Sequence, residues 1–386
     1  MQFEFTTATQ IVFGEGALTQ LPGLVRGLGT RALVVTGRSG ARAAVVFELL
    51  ERTGGIVSTI TCQAPGEPTV DWVEQHVQAA RKSGCDLVIG FGGGSAIDAA
   101  KAIAAMITNE GNLIDYLEVI GGGKPLVNPP VPVIAIPTTA GTGAEVTRNA
   151  VLLSPPHKVK VSLRSRLLLP RVALVDPTLT YGLPPELTAT TGLDALTQLI
   201  EAYVSCRANP MTDALCTNGI RRAARSLRVA FENGRNATAR RDMALASMFS
   251  GIALANAGLG AVHGFAGVIG GMFGAPHGAV CAALLEHVMA ANVRALQARA
   301  SGAEALRRYD ELARLLTDRP NAIAPDGINW VNALVGAVGI RRLGAYGVSE
   351  SHIPHIVQQA ARASSMKGNP ITLTPTELAD IVQAAL

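Results

Sequence analysis

The sequence lacks the features that mark membrane proteins, secreted proteins and nucleic-acid-binding proteins. Its uninterrupted apolar runs stay below the roughly 18 residues of a transmembrane helix, and residues 1–5 do not resemble a secretory signal. Charged residues make up only 16%, the net charge is +4, and Lys and Arg form no dense block. The most basic segment, from Arg221 to Arg228, has the spacing of a solvated helix face. We therefore expect no membrane span and no nucleic-acid partner.

Paired cysteines and aromatic residues are also scarce. The five cysteines are odd in number and form no CxxC pair: Cys62, Cys85, Cys206, Cys216 and Cys281. This usage is typical of reduced thiols in a cytoplasmic protein, and it predicts neither a disulfide framework nor a cysteine metal site. Aromatic residues make up 4% of the chain, whereas Ala and Gly are abundant, which favours closely packed helices and tight turns.

What the chain does contain is enough apolar sequence for two domains. It has 386 residues, of which 48% are hydrophobic. The first half predicts strands at 31–36, 56–62, 86–90 and 131–136, helices at 41–52, 70–83 and 95–106, and a further apolar run at 167–175. Apolar runs separated by helical patterns indicate a mainly parallel sheet with crossover helices. From residue 186 onward the pattern is helical, including one predicted helix at 298–315. We predict an α/β domain over residues 1–183 and an all-helical domain over 184–386.

Two segments of the first half have the composition of a phosphate-binding site. Gly92, Gly93 and Gly94 stand between a predicted strand and a helix, where the backbone can approach a pyrophosphate and the helix directs its free N–H groups at it. Ser95 is the predicted N-cap of that helix. The segment 137–145 follows the next strand and offers hydroxyls and backbone amides. An ordinary turn is the alternative interpretation for each segment.

Four motifs in order carry a family resemblance. Residues 92–101 (GGGSAIDAAK), 137–147 (PTTAGTGAEVT), 175–177 (VDP) and 191–197 (TGLDALT) resemble the signature of iron-containing, group III alcohol dehydrogenases. The resemblance spans nearly the whole chain. It implies a dehydroquinate synthase-like fold, with a dinucleotide-binding α/β domain, a helical domain and an active site between them. It also implies NAD(P)-dependent interconversion of a small alcohol and its aldehyde or ketone, by a homodimer or larger homo-oligomer.

The resemblance assigns cofactor contacts residue by residue. They are Gly37, Arg38, Gly93, Gly94, Ser95, Asp98, Thr138, Thr139, Thr142, Asn149, Lys160 and Leu179. The choice between NAD and NADP depends on the end of the first strand, where many NAD-preferring relatives carry Asp. Here the strand ends Thr36-Gly37-Arg38 without an acid, and Arg38 has the charge to pair with a 2′-phosphate. The sequence thus favours acceptance of NADP, and the alternative is that Arg38 simply faces water.

The resemblance also implies a divalent metal, Fe²⁺ or Zn²⁺, held by one Asp and three His. Asp194, His263 and His277 match three positions, as metal ligands and as catalytic residues, whereas Gln198 stands in place of the fourth imidazole. Asp194 and Gln198 are four residues apart and share one helix face. Because a neutral amide oxygen is a poorer ligand than imidazole, weaker metal retention is expected. Gly267 departs as well, because many relatives carry a further His there.

Three other functions remain open at this point. A metal-independent reductase of the same fold, like maleylacetate reductase, is favoured by Gln198 and Gly267 and opposed by Asp194. A lyase of the dehydroquinate synthase type fits the segment 137–147 less well. A catalytically inactive binding protein is at odds with the retention of both the cofactor and the metal motifs. The substrate is not readable from the sequence, although Phe265 and Phe273 are expected to line its pocket.

Overall fold

The computed structural model describes residues 2–54, 58–64, 66–157 and 159–386. They form two compact units that are not single segments of chain. An α/β unit contains residues 6–139 and 143–180, and a helical unit contains residues 2–5, 140–142 and 181–386. The two short segments of the helical unit were not expected. The change from strand to helix patterns in the sequence indicated a single boundary after residue 183, so all earlier residues were predicted to belong to the α/β domain.

The α/β unit contains a parallel sheet, a hairpin and four helices among its described residues. Its strands are β1 Gln10–Phe13, β2 Arg31–Thr36, β3 Ser58–Gln63, β4 Leu87–Gly92, β5 Val133–Pro137, β6 Asn149–Ser154, β7 Val159–Arg164 and β8 Val172–Val175. Its helices are α1 Leu21–Val25, α2 Ala44–Glu51, α3 Val70–Lys82 and α4 Gly94–Thr108. The strand predicted at 56–62 corresponds to β3, and its first two residues lie outside the described part of the chain.

The sheet has the order β1-β8-β5-β4-β2-β3, and all its neighbouring strands are parallel. Both faces of the sheet are covered, which explains the continuous apolar run of β2. Leu33 and Val35 belong to the core on one face, and Ala32 and Val34 belong to the core on the other. This arrangement confirms the predicted α/β architecture.

The antiparallel hairpin of β6 and β7 was not predicted. Its strands alternate between buried and partly exposed residues, as is typical of a hairpin with one covered face. Isolated bridges from Leu153 to Thr69 and from Leu163 to Leu117 attach the hairpin to the α/β unit. The apolar run at 167–175 is also only partly a strand, because 166–168 form a 3₁₀ turn before β8.

The second unit is built from helices, as predicted. They are α5 Pro185–Val204, α6 Pro210–Glu232, α7 Ala237–Ala257, α8 Ala261–Phe273, α9 His277–Arg299, α10 Glu304–Thr317, α11 Ala324–Ala337, α12 Ile353–Ala360 and α13 Pro375–Ala384. Small residues along α5 and α7 let these helices come close around one large apolar core. Phe265 is fully buried in that core, so it cannot line a solvent-accessible pocket as expected; Phe273 is only partly buried.

Two helices of this unit need comment. The single helix predicted at 298–315 is wrong, because α9 ends at Arg299 and α10 begins only at Glu304. Ser301 and Gly302 form a turn between them, and glycine is a poor residue for a helix interior. By length and composition α9 could cross a membrane, as could a joined α7 and α8 if their bend of 102° is ignored. However, 72% of the apolar window of α9 is buried, so we interpret α9 as a core helix.

The basic segment of α6 contributes to packing between helices. Arg225 Nε lies 2.7 Å from Asp242 Oδ2 on α7, and Arg222 Nη1 lies 2.5 Å from Asp242 Oδ1. Arg228 pairs with Glu232 one turn later on the same helix. Only part of this basic face is therefore simply solvated, because two of its arginines join α6 to α7 through one buried carboxylate.

Candidate active site

The carboxyl ends of the central strands β2, β4 and β5 lie along one edge of the sheet in the α/β unit. The chain leaves β2 toward β3 on one side, and β4 lies on the other side of β2, so the strand order changes direction between β2 and β4. Ligands of open α/β sheets bind at this kind of switch point. Here the two backbones come close, since a Cβ added at Gly92 would lie 3.2 Å from Gly37 N and 2.7 Å from Ala96 Cβ.

Helix α4 begins at this edge without a side-chain cap. Gly93 is its N-cap, and Gly94 and Ser95 are its first two residues. The prediction that Ser95 caps the helix is therefore wrong, because the helix begins one residue earlier than the serine. An uncapped N-terminus leaves backbone N–H groups and the positive end of the helix dipole available to an anion.

The threonine-rich segment follows β5 at the same edge. Thr138 N–H donates to Gly92 O at 2.8 Å, and a Cβ at Gly93 would lie 3.4 Å from Thr139. The α/β unit thus brings together Gly37, Gly93, Thr138 and Thr139. Thr142 belongs to the short segment Ala140–Thr142 of the helical unit. In that unit Gly141 packs so tightly on Thr191 that a Cβ would lie 2.9 Å from Thr191 O.

Asp98 is buried on α4, where it organises the protein's own backbone. Its Oδ2 accepts from Val151 N–H at 3.1 Å, and its Oδ1 lies 3.0 Å from Lys101 Nζ. Lys101 is fully buried and also donates to Ala144 O at 3.0 Å and to Asn149 O. The pair therefore ties α4 to the threonine-rich segment and to the hairpin, which is a positioning role that the sequence did not reveal.

The remaining predicted cofactor residues lie on the hairpin and at the ends of β2 and β8. Lys160 is not an ordinary surface lysine, because its side chain is only 9% exposed and its Nζ lies 2.9 Å from Glu67 Oε1. Asn149 begins β6, and its buried Oδ1 has no hydrogen-bond partner among the described residues. Leu179 accepts a hydrogen bond from Arg42 at its carbonyl oxygen, and Arg38 is exposed after β2.

A second cluster lies inside the helical unit, where three helices bring ligand atoms together. Asp194 comes from α5, His263 from the first turn of α8, and His277 and Cys281 from the first two turns of α9. One ligand atom from each residue lies within 4.8 Å of all the others, so the group has the composition and size of a metal site. Cys281 was not predicted as part of this group, because no second cysteine lies near it along the chain.

Glycine makes this meeting of helices possible. A Cβ at Gly278 would lie only 2.2 Å from Thr190 O on α5. Real Cβ atoms do not approach a carbonyl oxygen that closely, so only glycine allows the start of α9 to rest against α5. This contact places His277 and Cys281, which share one helix face, over Asp194.

Glu201 orients His263 from behind. Glu201 Oε2 lies 2.6 Å from His263 Nδ1, and Glu201 Oε1 accepts from Val262 N–H at 2.7 Å. A carboxylate that accepts a hydrogen bond from Nδ1–H keeps the ring proton on Nδ1 and leaves the Nε2 lone pair facing the cluster, as in many carboxylate–histidine–metal arrangements. Sequence reasoning missed Glu201, although it lies seven residues after Asp194 and so shares its helix face.

The donor set fits a cation. Asp194 Oδ1 is buried without a hydrogen-bond partner among the described residues, although His263 Nε2 lies 3.3 Å away and His277 Nε2 lies 3.7 Å away. A carboxylate oxygen and an imidazole lone pair repel each other unless a proton or a metal ion lies between them. Imidazole, carboxylate and thiolate are ligands of Zn²⁺ and Fe²⁺, so the residues present fit the metal that the motifs imply.

Electrostatics within the cluster favour its anionic ligands. Burial opposes every charged form here, yet the neighbouring imidazoles lower the pKa of the Asp194 carboxyl and of the Cys281 thiol below their usual values. The pKa of His263 is raised well above its usual value against the effect of burial, because Cys281 and Asp194 stabilise its charged form. The cluster is thus a strongly negative, buried environment that stabilises positive charge.

Gln198 lies next to this cluster on α5 and is also buried. Its Oε1 is 2.8 Å from Ser250 Oγ on α7, which is itself 2.7 Å from Ser247 O. The amide oxygen is thus within hydrogen-bond distance of a hydroxyl. Whether Gln198 also binds the metal stays a prediction. Gly267 has open space around it, with nothing within 4 Å of an added Cβ.

Comparison with known proteins identifies the family to which this arrangement belongs. The sequence model described as iron-containing alcohol dehydrogenase matches residues 8–177, and that of the C-terminal domain of the same family matches residues 188–386. The chain belongs to the iron-containing alcohol dehydrogenase family. The predicted resemblance is confirmed, and membership implies NAD(H) and a metal.

The relatives agree with this assignment over nearly their whole lengths. Alcohol dehydrogenase 4 of Schizosaccharomyces pombe is 36% identical over 97% of this chain and 87% of its own length. The 1,3-propanediol dehydrogenase of Citrobacter freundii is 35% identical over 99% of this chain and 98% of its own. A crystal structure of 1,3-propanediol oxidoreductase superposes with a TM-score of 0.92 at 34% identity, covering 100% of both chains. The chain is thus an alcohol dehydrogenase, and the metal-independent reductase is not favoured.

Proposed function

We propose that this dehydrogenase interconverts a short-chain alcohol and its aldehyde with a metal held by Asp194, His263 and His277. The observation that carries the proposal is the buried, unpartnered Asp194 Oδ1 beside two imidazole nitrogens on separate helices. A divalent ion, when bound, supplies Lewis acidity that lowers the barrier to hydride transfer at the substrate carbon. Short alcohols are proposed because two relatives are named for 1,3-propanediol.

The protein residues have separate tasks in this proposal. Asp194 supplies the negative charge that a buried divalent cation needs, and Glu201 holds His263 in the tautomer whose Nε2 can act as a ligand. The core around the helices excludes water from Asp194 and His263 and so strengthens their interactions with charge, whereas the side chain of His277 is 31% exposed. In the α/β unit, the uncapped start of α4 with Gly93, Gly94 and Ser95 is proposed to bind the pyrophosphate.

The remaining proposed cofactor contacts divide into direct and indirect ones. Gly37, Thr138 and Thr139 lie at the edge of the sheet where Gly37, Gly92 and Gly93 come close together (the glycine edge), and direct contact is expected there. Asp98 is proposed to act through Lys101, because both its oxygens already face groups of the protein. Asn149 offers an unpartnered buried oxygen to a ribose hydroxyl. For Thr142, Lys160 and Leu179, the proposed cofactor contacts rest on the resemblance to the family alone.

Removal of the metal with EDTA, together with a substitution at Asp194, tests the metal assignment. Purified protein is assayed for NAD⁺ reduction with ethanol, propan-1-ol and propane-1,3-diol, before and after EDTA and after addition of Fe²⁺ or Zn²⁺. We expect chelation to abolish turnover, and Asp194→Asn to lower it at least about 100-fold, since a Lewis acid contributes several kcal/mol. Asp380→Asn, an exposed carboxylate on α13, is the control. Full activity of metal-free protein contradicts the proposal.

Acceptance of NADP is proposed from the end of β2. Gly37 and the exposed Arg38 stand where an acid would repel a 2′-phosphate. Arg38→Asp should raise the KM for NADP⁺ about 10–100-fold, the value of one hydrogen bond to a charged group, and leave NAD⁺ unaffected. Arg26→Asp replaces an exposed arginine after α1 as the control. An equal effect of Arg38→Asp on both cofactors contradicts the assignment.

A cytoplasmic location and a homo-oligomeric state belong to the same proposal. The support for the first is that no disulfide joins the five cysteines, four of which are buried as free thiols. The support for the second is the resemblance alone. Light scattering after size-exclusion chromatography tests it directly, because a mass of 40.0 kDa corresponds to a monomer.

A further inference from the structure

Cys281 lies within the ring of ligand atoms of the metal cluster. It follows His277 by one helical turn on α9, so both side chains project from the same face. Cys281 Sγ is 3.7 Å from His277 Nε2 and 3.8 Å from His263 Nε2, and the residue is fully buried. Nothing in the motifs that indicated the metal site pointed to this residue.

The distances in the cluster are those of the edges of a coordination tetrahedron. Zinc ligands lie at about 2.0–2.2 Å for N and O and at about 2.3 Å for S, which places neighbouring N and O atoms about 3.4 Å apart and S and N about 3.6 Å apart. The observed edges are 3.3 and 3.7 Å from Asp194 Oδ1 to the imidazoles, and 3.7 and 3.8 Å from Cys281 Sγ to the same two nitrogens. Four of the six atom pairs thus have separations close to those of a tetrahedral site, and the other two pairs lie within 4.8 Å.

Charge favours the thiolate as well. Among the direct ligands alone, Asp194 and a thiolate at Cys281 match the two charges of a divalent ion, whereas Asp194 with neutral imidazoles and Gln198 matches only one, and the remaining charge is left to Glu201 behind His263. Uncompensated buried charge is strongly unfavourable. The oxygen of Gln198 already lies 2.8 Å from the Ser250 hydroxyl, whereas the thiol of Cys281 faces the other members of the cluster, namely the two imidazoles and the Asp194 carboxylate.

We propose that Cys281 is the fourth protein ligand of the metal, in place of the imidazole missing at position 198, and that its thiolate biases the site toward Zn²⁺ over Fe²⁺. The thiol proton is released to solvent as the sulfur–metal bond forms. Thiolate is a softer ligand than imidazole and favours zinc. Zinc sites can expand to five ligands, so four protein ligands still leave room for a substrate oxygen. The inference rests on the proposed metal site.

X-ray absorption at the zinc edge tests the ligand directly. The full-length chain is loaded with Zn²⁺, and we expect one sulfur scatterer at about 2.3 Å beside nitrogen and oxygen scatterers at about 2.0–2.2 Å. The sulfur scatterer should vanish in Cys281→Ser and persist in Gln198→Ala. Cys206→Ser, which replaces an exposed cysteine, is the matched control and should also retain it.

Two further measurements extend the test, and the first of them does not depend on how a variant folds. Wild-type protein loaded with Co²⁺ should show a near-ultraviolet thiolate-to-cobalt charge-transfer band, which requires no substitution at all. Competition with a chelator should show that Cys281→Ser lowers zinc affinity by more than about tenfold, because loss of outer contacts alone lowers it 10–100-fold. The same variant should lower Fe²⁺ affinity less.

Each contrary outcome has a separate meaning. Zinc bound by the wild type without sulfur, or sulfur that persists in Cys281→Ser, overturns the ligand assignment and leaves the proposed function intact. A larger loss of zinc affinity in Gln198→Ala than in Cys281→Ser assigns the fourth position to Gln198. A wild-type chain that oxidises alcohol with no bound divalent ion overturns the metal-assisted function itself.

Discussion

At the residue scale, one carboxylate of α5 governs the orientation of the imidazole on α8 that we propose as a metal ligand. Glu201 accepts from both Val262 N–H and the Nδ1–H of His263. In Glu201→Gln one of the two acceptors becomes an NH₂ donor. If that donor faces Nδ1, the ring proton moves to Nε2, which then cannot bind a metal. Glu201 is therefore a positioning residue rather than a ligand.

We expect Glu201→Gln to lower metal affinity about 10–100-fold, the usual effect of losing such an outer partner. Competition with a coloured chelator measures it, and the unfolding temperature of the metal-free variant reports any merely structural effect. Glu311→Gln is the matched control, because Glu311 accepts from Tyr203 in the same helical unit. Unchanged metal affinity in Glu201→Gln would mean that His263 keeps its tautomer without the carboxylate.

A second buried carboxyl makes stability depend on pH. Burial raises the pKa of Glu145 to about 7, although its own backbone amide and Lys101 lower it, whereas an exposed glutamate has a pKa of 4.5. Because the folded state binds the proton more tightly, this stabilisation is fully present below pH 4.5 and is lost as the pH rises through 7.

We expect wild type to lose up to about 3 kcal/mol between pH 5 and pH 8 from Glu145, at 1.36 kcal/mol per pKa unit. Glu145→Gln should not show this loss. Denaturant unfolding at both pH values, compared between the two proteins, measures the difference. Glu51→Gln, an exposed residue at the end of α2, should behave as wild type does. Parallel pH profiles of Glu145→Gln and wild type would contradict the assignment.

At the scale of elements, the sequence correctly predicted the strands that have a strong local pattern of apolar residues. Apolar runs predicted β2, β4 and β5 within one or two residues, because strands covered on both faces are continuously apolar. The hairpin was missed because its short strands alternate between buried and partly exposed residues and contain polar side chains. Two of these polar residues, Asn149 and Lys160, were interpreted as cofactor contacts instead of as parts of strands. The junction of α9 and α10 was missed because Ser301 and Gly302 lie inside an otherwise helical pattern.

The contact between α9 and α5 gives a prediction of its own. A Cβ at Gly278 would lie 2.2 Å from Thr190 O, so Gly278→Ala must displace the start of α9. We expect a loss of about 1–3 kcal/mol of stability, as in other overpacked cores, together with weakened metal binding. Gly267→Ala on α8 is the matched control, because its Cβ meets nothing within 4 Å. There we expect a gain of about 0.5–1 kcal/mol from the added helix propensity.

Thermal unfolding and metal titration of both alanine variants measure these effects. The structure requires opposite signs for the two stability changes, which a general effect of glycine replacement cannot produce. Equal destabilisation of the two variants, or full metal affinity in Gly278→Ala, would show that α9 does not depend on this close approach.

At the scale of the whole molecule, the proposed metal site depends on contacts between helices that are distant along the chain. Asp194, His263 and His277 were predicted from motif order, but Cys281 and Glu201 were not. Local signals existed, namely one helical turn between His277 and Cys281 and two turns between Asp194 and Glu201. What no single sequence shows is that α5, α8 and α9 meet, since the ligands are up to 87 positions apart along the chain (281 minus 194).

Because the proposed ligands come from three helices, metal binding should stabilise the folded helical unit. An ion that binds only the native state stabilises it by about 4 kcal/mol at a free concentration of 1,000 times the dissociation constant. We expect calorimetry to show a higher unfolding temperature with Zn²⁺ than with EDTA, and loss of this difference in Asp194→Asn. NAD⁺ should still stabilise that variant, since its proposed contacts lie at the glycine edge of the α/β unit. A metal-induced rise that survives in Asp194→Asn would place the ion elsewhere in the protein.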